Sequence, residues 1–385
     1  MRRRIVFISS NYTWGGSEVL WSEAAGILAE RGHDVRAYKN RLSLRDGAVA
    51  QLKRRKVRLI ELASFPVLPN RLYSLVAMFL PYLSIAWQAL RLHLSLRMRK
   101  RPDLVVVSQG GNHDGWMLAA VCRRLKLPYV LVSQKATDLY WPQDRWLGEV
   151  RANYAGALHA FFVSHHNVAL TQEQIGRTIG NASVVRNPFN VAHDARPLWP
   201  EGDGEIGIAC VGRLYPMEKG QDILLRVLAR PEWRERPVSL TFYGSGEQRE
   251  GLEGMARYLG LENVRFAGYE NDVAAIWSRH HLLALPSRAE GLPLAVVETM
   301  LCGRVAVVTD VAGNAELIED GATGFVADAA SEKSFADALE RAWQKRDRWP
   351  AIGEAAARHV RREVPEDPSA TFADRLLAIA ATQPR

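Results

Sequence analysis

Residues 5–38 read IVFISSNYTWGGSEVLWSEAAGILAERGHDVRAY. Residues 5–9 are a short apolar run of β-forming type, and residues 11–17 form a loop containing Gly15 and Gly16. Residues 19–31 favour a helix, Gly32 is a helix stop, and residues 33–38 make a second strand. Strand, loop, helix, glycine, strand is the βαβ rhythm of a parallel sheet. The rhythm returns at 103–108, 116–125 and 129–133, with further strands expected at 160–164 and 183–186. It lapses between Phe189 and Gly204, where Pro, Asp, Gly and His predominate, and this stretch reads as a linker. It restarts with elements at 206–211, 221–228, 238–243, 248–259, 264–267, 282–286, 294–302 and 305–309. Two such runs predict an α/β chain of two doubly wound, Rossmann-like domains, 1–188 and 205–365, joined by residues 189–204. Ligands of such sheets lie at the carboxyl ends of the strands, so a central cleft faced by both domains is the expected site.

The chain has 385 residues, 48% of them hydrophobic and 24% charged, with a formal net charge of +8. Length and composition fit two cores, and the positive balance favours anionic partners. Cys122, Cys210 and Cys302 are far apart and make no metal-ligand spacing, so they read as buried apolar residues in a reducing compartment. We expect a cytoplasmic protein. The apolar part of the opening MRRRIVFISS is too short for a signal-peptide core. Residues 72–90 carry no charge, but Pro81, Tyr73, Ser74, Tyr82, Ser84 and Gln88 interrupt or dilute them. Leu83, Trp87, Leu90 and Leu94 recur at helical spacing, and Arg91, Arg97, Arg99, Lys100 and Arg101 follow. The segment reads as one or two helices packed in or on the first domain. Its alternatives are a basic amphipathic surface resting on the inner face of the cytoplasmic membrane and a true membrane span, whose length the segment barely meets.

Residues 288–300, RAEGLPLAVVETM, carry Glu290 and Glu298 at the ends of an apolar stretch. Gly291 and Pro293 put Glu290 in a loop and Glu298 inside the following helix, with proline at the first helical position. The N–H groups near residues 292–295 then form a helix N-terminus that attracts phosphate, and Gly291, Leu292, Pro293 and Leu294 are candidate donor-binding residues. An anion there lies between two carboxylates able to accept from hydroxyls, the order of groups in a nucleotide sugar. Residues 210–220, CVGRLYPMEKG, follow a strand and precede a helix. Arg213 and Lys219 in that loop can grip a diphosphate. Trp14-Gly15-Gly16-Ser17 lets backbone approach a ligand closely. Neither the dinucleotide nor the P-loop glycine fingerprint occurs.

Together these residues resemble the retaining glycosyltransferases of family 4, which have the GT-B fold. The resemblance is clearest over 206–327: Gly212-Arg213 with Lys219-Gly220, Tyr243-Gly244-Ser245-Gly246, Phe266-Ala267-Gly268, the two glutamates, Gly313-Asn314-Ala315-Glu316 and Gly321–Gly324. It extends to Gly15-Gly16 and to Asn187-Pro188-Phe189-Asn190, where relatives often have Asn-Gly-Val-Asp, a departure that weakens a role for Asn190. The resemblance implies that Arg213 and Lys219 hold the donor diphosphate, Glu298 the ribose and Glu290 the hydroxyls of the transferred sugar. It places Gly16 near the phosphates and acceptor, Gly244 in the donor loop, and Tyr269 beside the base, UDP and GDP both remaining open. His113, in SQGGNHDG (residues 108–115), takes the place of a first-domain histidine near the reacting carbon; a competing reading makes His113 an N-terminal helix residue and Asp114 its N-cap. The tail, 366–385, is expected to form a helix crossing back to the N-terminal, acceptor-binding domain. The implied activity is hexosyl transfer to a glycan or lipid-linked saccharide, as in polysaccharide or lipopolysaccharide synthesis. No DxD occurs, so metal-independent transfer without a cofactor is expected. A sugar-nucleotide epimerase or hydrolase on the same fold, or a non-catalytic nucleotide-sugar-binding membrane protein, are the rival classes.

Other features carry less. His165-His166 and His280-His281 have no third ligand at zinc spacing. Ser164 lacks the GxSxG setting of a hydrolase. The basic runs 53–56 and 97–101 lack interleaved aromatics, so no nucleic-acid partner is expected and a solvated or lipid-facing role is favoured.

Overall fold

The computed structural model describes residues 2–12, 14–42, 47–63, 81–200 and 204–383. They form two compact units: 1–188 with 367–385, and 189–366.

Unit 1 holds a seven-stranded parallel sheet: β1 (Arg4–Ser9), β2 (Asp34–Lys39), β3 (Arg58–Glu61), β4 (Leu104–Gln109), β5 (Tyr129–Ser133), β6 (His159–Phe162) and β7 (Ala182–Val184), in the order β3-β2-β1-β4-β5-β6-β7. The central strands β1, β4 and β5 are mostly apolar because both faces are covered. Val6, Ile8, Val105, Val107 and Leu131 enter the core on one face. Ile5, Phe7, Val106, Val130 and Phe161 enter the core on the other. The second face is closed by the helices Gly16–Glu30 and Pro368–Ala381, which pack on each other. Phe372 meets Phe161 edge to face at 5.2 Å. Arg375 donates to the carbonyl of Val184 at 2.8 Å. Gly32, at φ +87°, ends the first helix in a conformation costly to other residues.

Unit 2 repeats the plan with β8 (Ile206–Val211), β9 (Val238–Tyr243), β10 (Val264–Gly268), β11 (Leu282–Leu285), β12 (Val305–Thr309) and β13 (Phe325–Ala327), in the parallel order β10-β9-β8-β11-β12-β13. In both sheets the order reverses at one place, between β1 and β4 and between β8 and β11. Such a switch point leaves a crevice at the strands' carboxyl ends.

Residues 189–200 lie against unit 2. The buried Arg304 donates to the carbonyls of Trp277, Pro197 and Leu198, and Arg361 donates to those of His193 and Ala195. Desolvation lowers the Arg304 pKa to about 10, still leaving it charged at neutral pH.

Residues 72–80 of the uncharged segment lie outside the described residues; the helix Pro81–Arg97 packs against the helix Trp116–Arg124. It packs on the first unit, as one reading of the sequence expected, and its buried face is partly polar. Ser84, Gln88, Leu92 and Leu96 are buried, while Leu90 and Leu94 are 48% and 47% exposed. Polar residues can face inward because Gln88 donates to the hydroxyls of Tyr12 (2.8 Å) and Ser84 (3.3 Å). Among the described residues, no helix is long and apolar enough to cross a membrane. All three cysteines are free and buried, and burial pushes the thiols of Cys122 and Cys210 up to about 12.

Candidate functional site

In unit 2 the loops leaving β8 and β11 meet at the switch point. The first carries Gly212, Arg213 and a single helical turn, Pro216–Lys219, ended by Gly220 at φ +66°. A β-carbon on Gly220 would lie 1.9 Å from the carbonyl oxygen of Pro286, so only glycine lets the two loops touch. Across this contact, Lys219 Nζ lies 2.6 Å from Glu290 Oε1. The hydroxyl of Ser287 donates to the same oxygen at 2.7 Å, and the hydroxyl of Thr309 holds the Ser287 carbonyl at 2.6 Å. Both partners of Glu290 share one oxygen, and no described residue donates to Oε2. Gly244, at φ +129°, approaches Gly212 so closely that a β-carbon there would lie 2.1 Å from the Gly212 oxygen.

Arg213 takes a different setting. Its guanidinium is 3.0 Å from Glu218, and its side chain is 60% exposed and stands over the Tyr215 ring. Arg288 is bound to Asp222 through two hydrogen bonds, at 2.7 and 2.9 Å. Tyr269 follows β10 and is 76% exposed.

The helix Leu294–Leu301 begins with Pro293 as its N-cap, one position earlier than a first helical residue, and no side chain caps its first turn. The N–H groups of that turn are the donors a helix leaves without intrahelical partners. The loop before it is pinned where Gly313 N–H donates to the Gly291 carbonyl at 2.9 Å. Glu298, one turn into the helix, is 3% exposed. Its Oε1 accepts from both the backbone N–H and the side-chain amide of Asn190, each at 2.9 Å. Asn190 therefore touches one of the glutamates, despite the departure in the surrounding motif. Desolvation raises the Glu298 pKa, against the lowering effect of the Asn190 bonds.

A raised carboxyl pKa means that the folded state holds its proton longer than the unfolded state. Stability contributed at this position falls as pH rises from the ordinary glutamate range through the folded value. Glu298→Gln keeps an oxygen for Asn190 and removes the buried charge. We expect it to be more stable than the parent at pH 7 and indistinguishable at pH 4. Urea unfolding at both pH values checks this.

In unit 1 the loops leaving β1 and β4 also lie at a switch point. Gly15 is the N-cap and Gly16 the first residue of the helix Gly16–Glu30. Beneath them is a buried ion pair that the sequence reading missed: Lys39 Nζ to Glu18 Oε2, 2.6 Å, both side chains fully buried. Ser9 and Asn11 also donate to Glu18, at 2.8 and 2.7 Å. Lysine ending one strand and glutamate two residues after a glycine pair were its only signals.

His113 lies in the turn before the helix Trp116–Arg124, whose N-cap is Gly115. Asp114 therefore does not cap that helix; it accepts from Gly111 N–H and from the Ser10 hydroxyl, both at 2.7 Å. His113 Nδ1 is 2.8 Å from Asn112 Oδ1. The Asn112 amide donates to Thr171 and Gln174, so its oxygen is the acceptor and Nδ1 the donor. Burial lowers the His113 pKa. The ring is then neutral at pH 7, with Nε2 as a base or acceptor.

Other singled-out residues are structural. Ser164 caps the helix His165–Ile175. His280 bonds the Ile276 carbonyl, and His281 accepts from Gly207.

Residues 205–345 match the family described as glycosyl transferases group 1, and residues 15–188 match the glycosyl transferase 4-like domain. The D-inositol 3-phosphate glycosyltransferase of Streptomyces coelicolor is 34% identical over 177 residues, 42% of this chain and 38% of that protein. The glycogen synthase of Pseudomonas syringae pv. syringae is 29% identical over 165 residues, 43% of this chain and 32% of that one. The matched segments thus span under two fifths of those relatives. Among solved structures, Anabaena HepE in complex with UDP and glucose superimposes with a TM-score of 0.73 at 18% identity, covering 99% of this chain and all of that one. The sucrose-phosphate synthase of Thermosynechococcus elongatus gives 0.76 at 16% identity, with the same coverage. These two likenesses are of fold. With both units matched by family descriptions and the whole chain following that fold, the chain belongs to the group 1 (family 4) glycosyltransferases of GT-B fold.

Proposed function

We propose that the protein transfers a hexosyl group, with retention of configuration, from a nucleotide-diphosphate sugar to a hydroxyl of a glycan or lipid-linked saccharide at the inner face of the cytoplasmic membrane. The observation that carries this reading is the Lys219–Glu290 pair at the switch point of unit 2, beside the uncapped helix that holds Glu298.

Each carboxylate has one oxygen held by the protein and a second able to accept from a sugar hydroxyl. We assign Glu298 to the ribose and Glu290 to the transferred sugar. Lys219, the first-turn N–H groups of residues 294–301 and the more exposed Arg213 are assigned to the diphosphate. As the bond to the anomeric carbon breaks, negative charge grows on the departing phosphate, and preorganised cations lower that barrier. These two side chains would supply charge that a divalent metal supplies elsewhere, so no metal is required. The acceptor hydroxyl attacks on the face from which the diphosphate leaves. Gly15 and Gly16, which permit close backbone approach, are assigned to the donor phosphates and the acceptor, and the neutral imidazole of His113 to the reacting carbon. Tyr269 is assigned to the base.

A thermal-shift panel of nucleotide sugars tests the donor site. A ligand at 100 times its Kd stabilises the native state by about 2.7 kcal/mol. We expect one base to be selected, the shift to vanish in Glu298→Ala, and turnover to require a saccharide acceptor. Absence of any shift across UDP-, GDP- and ADP-sugars would overturn the reading, and rapid turnover of donor alone would favour a hydrolase.

A further inference from the structure

The net charge of +8 is the sum of two opposed parts. Residues of unit 1 contain 29 Lys and Arg against 14 Asp and Glu, a balance of +15; those of unit 2 contain 21 against 28, a balance of −7. Within unit 1 the cations are not spread evenly. Clusters at 2–4, 53–58, 97–101 and 123–126 precede or open β1, β3, β4 and β5. These strands are parallel members of one sheet, so their starts share one edge. Topology thus gathers four distant basic runs onto a single rim, the one opposite Gly15, Gly16 and His113.

Two cavities of about 520 Å³ each open on this rim. One is lined by Arg2, Arg54, Lys56 and Arg58, the other by Arg4, Arg101, Arg123 and Lys126. Part of this charge is already neutralised: Arg55 by Glu23 and Glu30, Arg123 by Glu149, Arg58 by Asp34. Lys53, Arg54, Lys56, Arg97, Lys100 and Lys126 are exposed, and none has an acidic partner within 4.0 Å among the described residues. The helix Pro81–Arg97 ends at the same edge, and an apolar stripe runs back along it from there. Leu90, Leu94 and Met98, at four-residue spacing, are 48%, 47% and 83% exposed.

We infer that the strand-start rim of unit 1 docks on an anionic lipid bilayer. Unpaired lysines and arginines attract acidic headgroups, and the leucine–methionine stripe enters the headgroup–acyl boundary. The apolar stripe, and the lack of an exposed aromatic ring for base stacking among the described residues of the rim, favour a bilayer over a nucleic acid. The reading deepens the proposed function by naming the face that meets the membrane, and its test needs neither donor nor acceptor. A consequence for the acceptor follows. With six residues in β4 and about 3.3 Å per residue, the edge bearing His113 stands on the order of 20 Å from the rim. An acceptor built on a lipid must then carry a saccharide long enough to project that far.

The test is sedimentation of the full chain with phosphatidylcholine vesicles, with and without about 30 mol% phosphatidylglycerol. We expect binding only to the anionic vesicles, at about 0.05 M NaCl and not at about 0.5 M. A quadruple variant, Arg54→Gln, Lys56→Gln, Lys100→Gln and Lys126→Gln, should bind at least about tenfold more weakly, and Leu94→Ser with Met98→Ser several-fold more weakly. Both variants should keep the parent's nucleotide-sugar thermal shift, which shows that they fold. No binding at low salt, or binding indifferent to both variants, would overturn the inference. So would binding that the serine pair leaves unchanged and that a single-stranded oligonucleotide displaces, which marks a polyanion surface. Vesicle binding without any nucleotide-sugar shift would leave the rim standing and remove the transferase reading instead.

Discussion

Lys219→Ala is expected to lower kcat for glycosyl transfer by about 10²–10³-fold, the scale seen when one preorganised group facing a developing charge is deleted. Lys219 lies 2.6 Å from Glu290 with its side chain 18% exposed, and desolvation makes its charge worth more than in water. Its pairing creates a competing explanation, in which the lysine serves only to neutralise a buried carboxylate. The two accounts separate in a double-mutant cycle. If neutralisation is all, Lys219→Ala combined with Glu290→Gln regains most of the lost rate. If the lysine meets the leaving diphosphate, the double variant is at least as slow as the single one. A kcat within threefold of the parent for Lys219→Ala would remove Lys219 from the reaction. Lys219→Arg should recover only part of the rate, since a planar fork replaces a compact ammonium.

The second large effect is on stability. Lys39→Met should destabilise unit 1 by about 3–5 kcal/mol, because it leaves a buried carboxylate without its counter-charge. Glu18 is fully buried, and its other donors, Ser9 and Asn11, are neutral. Lys39 also holds the Asn11 carbonyl at 3.0 Å and lies over the Trp14 ring, so the backbone leading to Gly15 loosens too. Faster hydrogen exchange in β1 and β2, with unit 2 amides unchanged, is the expected signature. Lys39→Met with Glu18→Leu should recover most of the loss, since a well-packed apolar pair can match a buried ion pair. Full stability in the single variant would show that water reaches Glu18.

The strands of unit 2 could be read because β8, β9 and β12 are apolar runs bounded by polar loops. By contrast β3 is partly exposed along its length and β13 has three residues, leaving neither period nor length to detect. The helix Pro81–Arg97 shows a deeper limit. Periodicity selected Leu83, Trp87, Leu90 and Leu94, whereas the protein buries Ser84 and Gln88 by hydrogen bonding them. In the site, residue types pointed to Lys219 and the two glutamates. Ser287, three residues from Glu290, carries no motif of its own, while the Asn190 contact with Glu298 and, in unit 1, the Lys39–Glu18 pair join residues distant in the chain, so local sequence could not show them. The same holds for the basic rim, whose four runs are neighbours only because parallel strands begin at one edge.

The helix Pro368–Ala381 belongs to the first unit although the whole second unit is translated before it. Phe372, Ala373 and Leu376 cover the apolar side of Leu20, Ala24 and Leu28. On the ribosome, that patch stays bare until the whole second unit has been made, while that later-encoded unit can already condense. A nascent chain would thus finish its second half first, and the exposed leucines are where a chaperone would engage it in the interval.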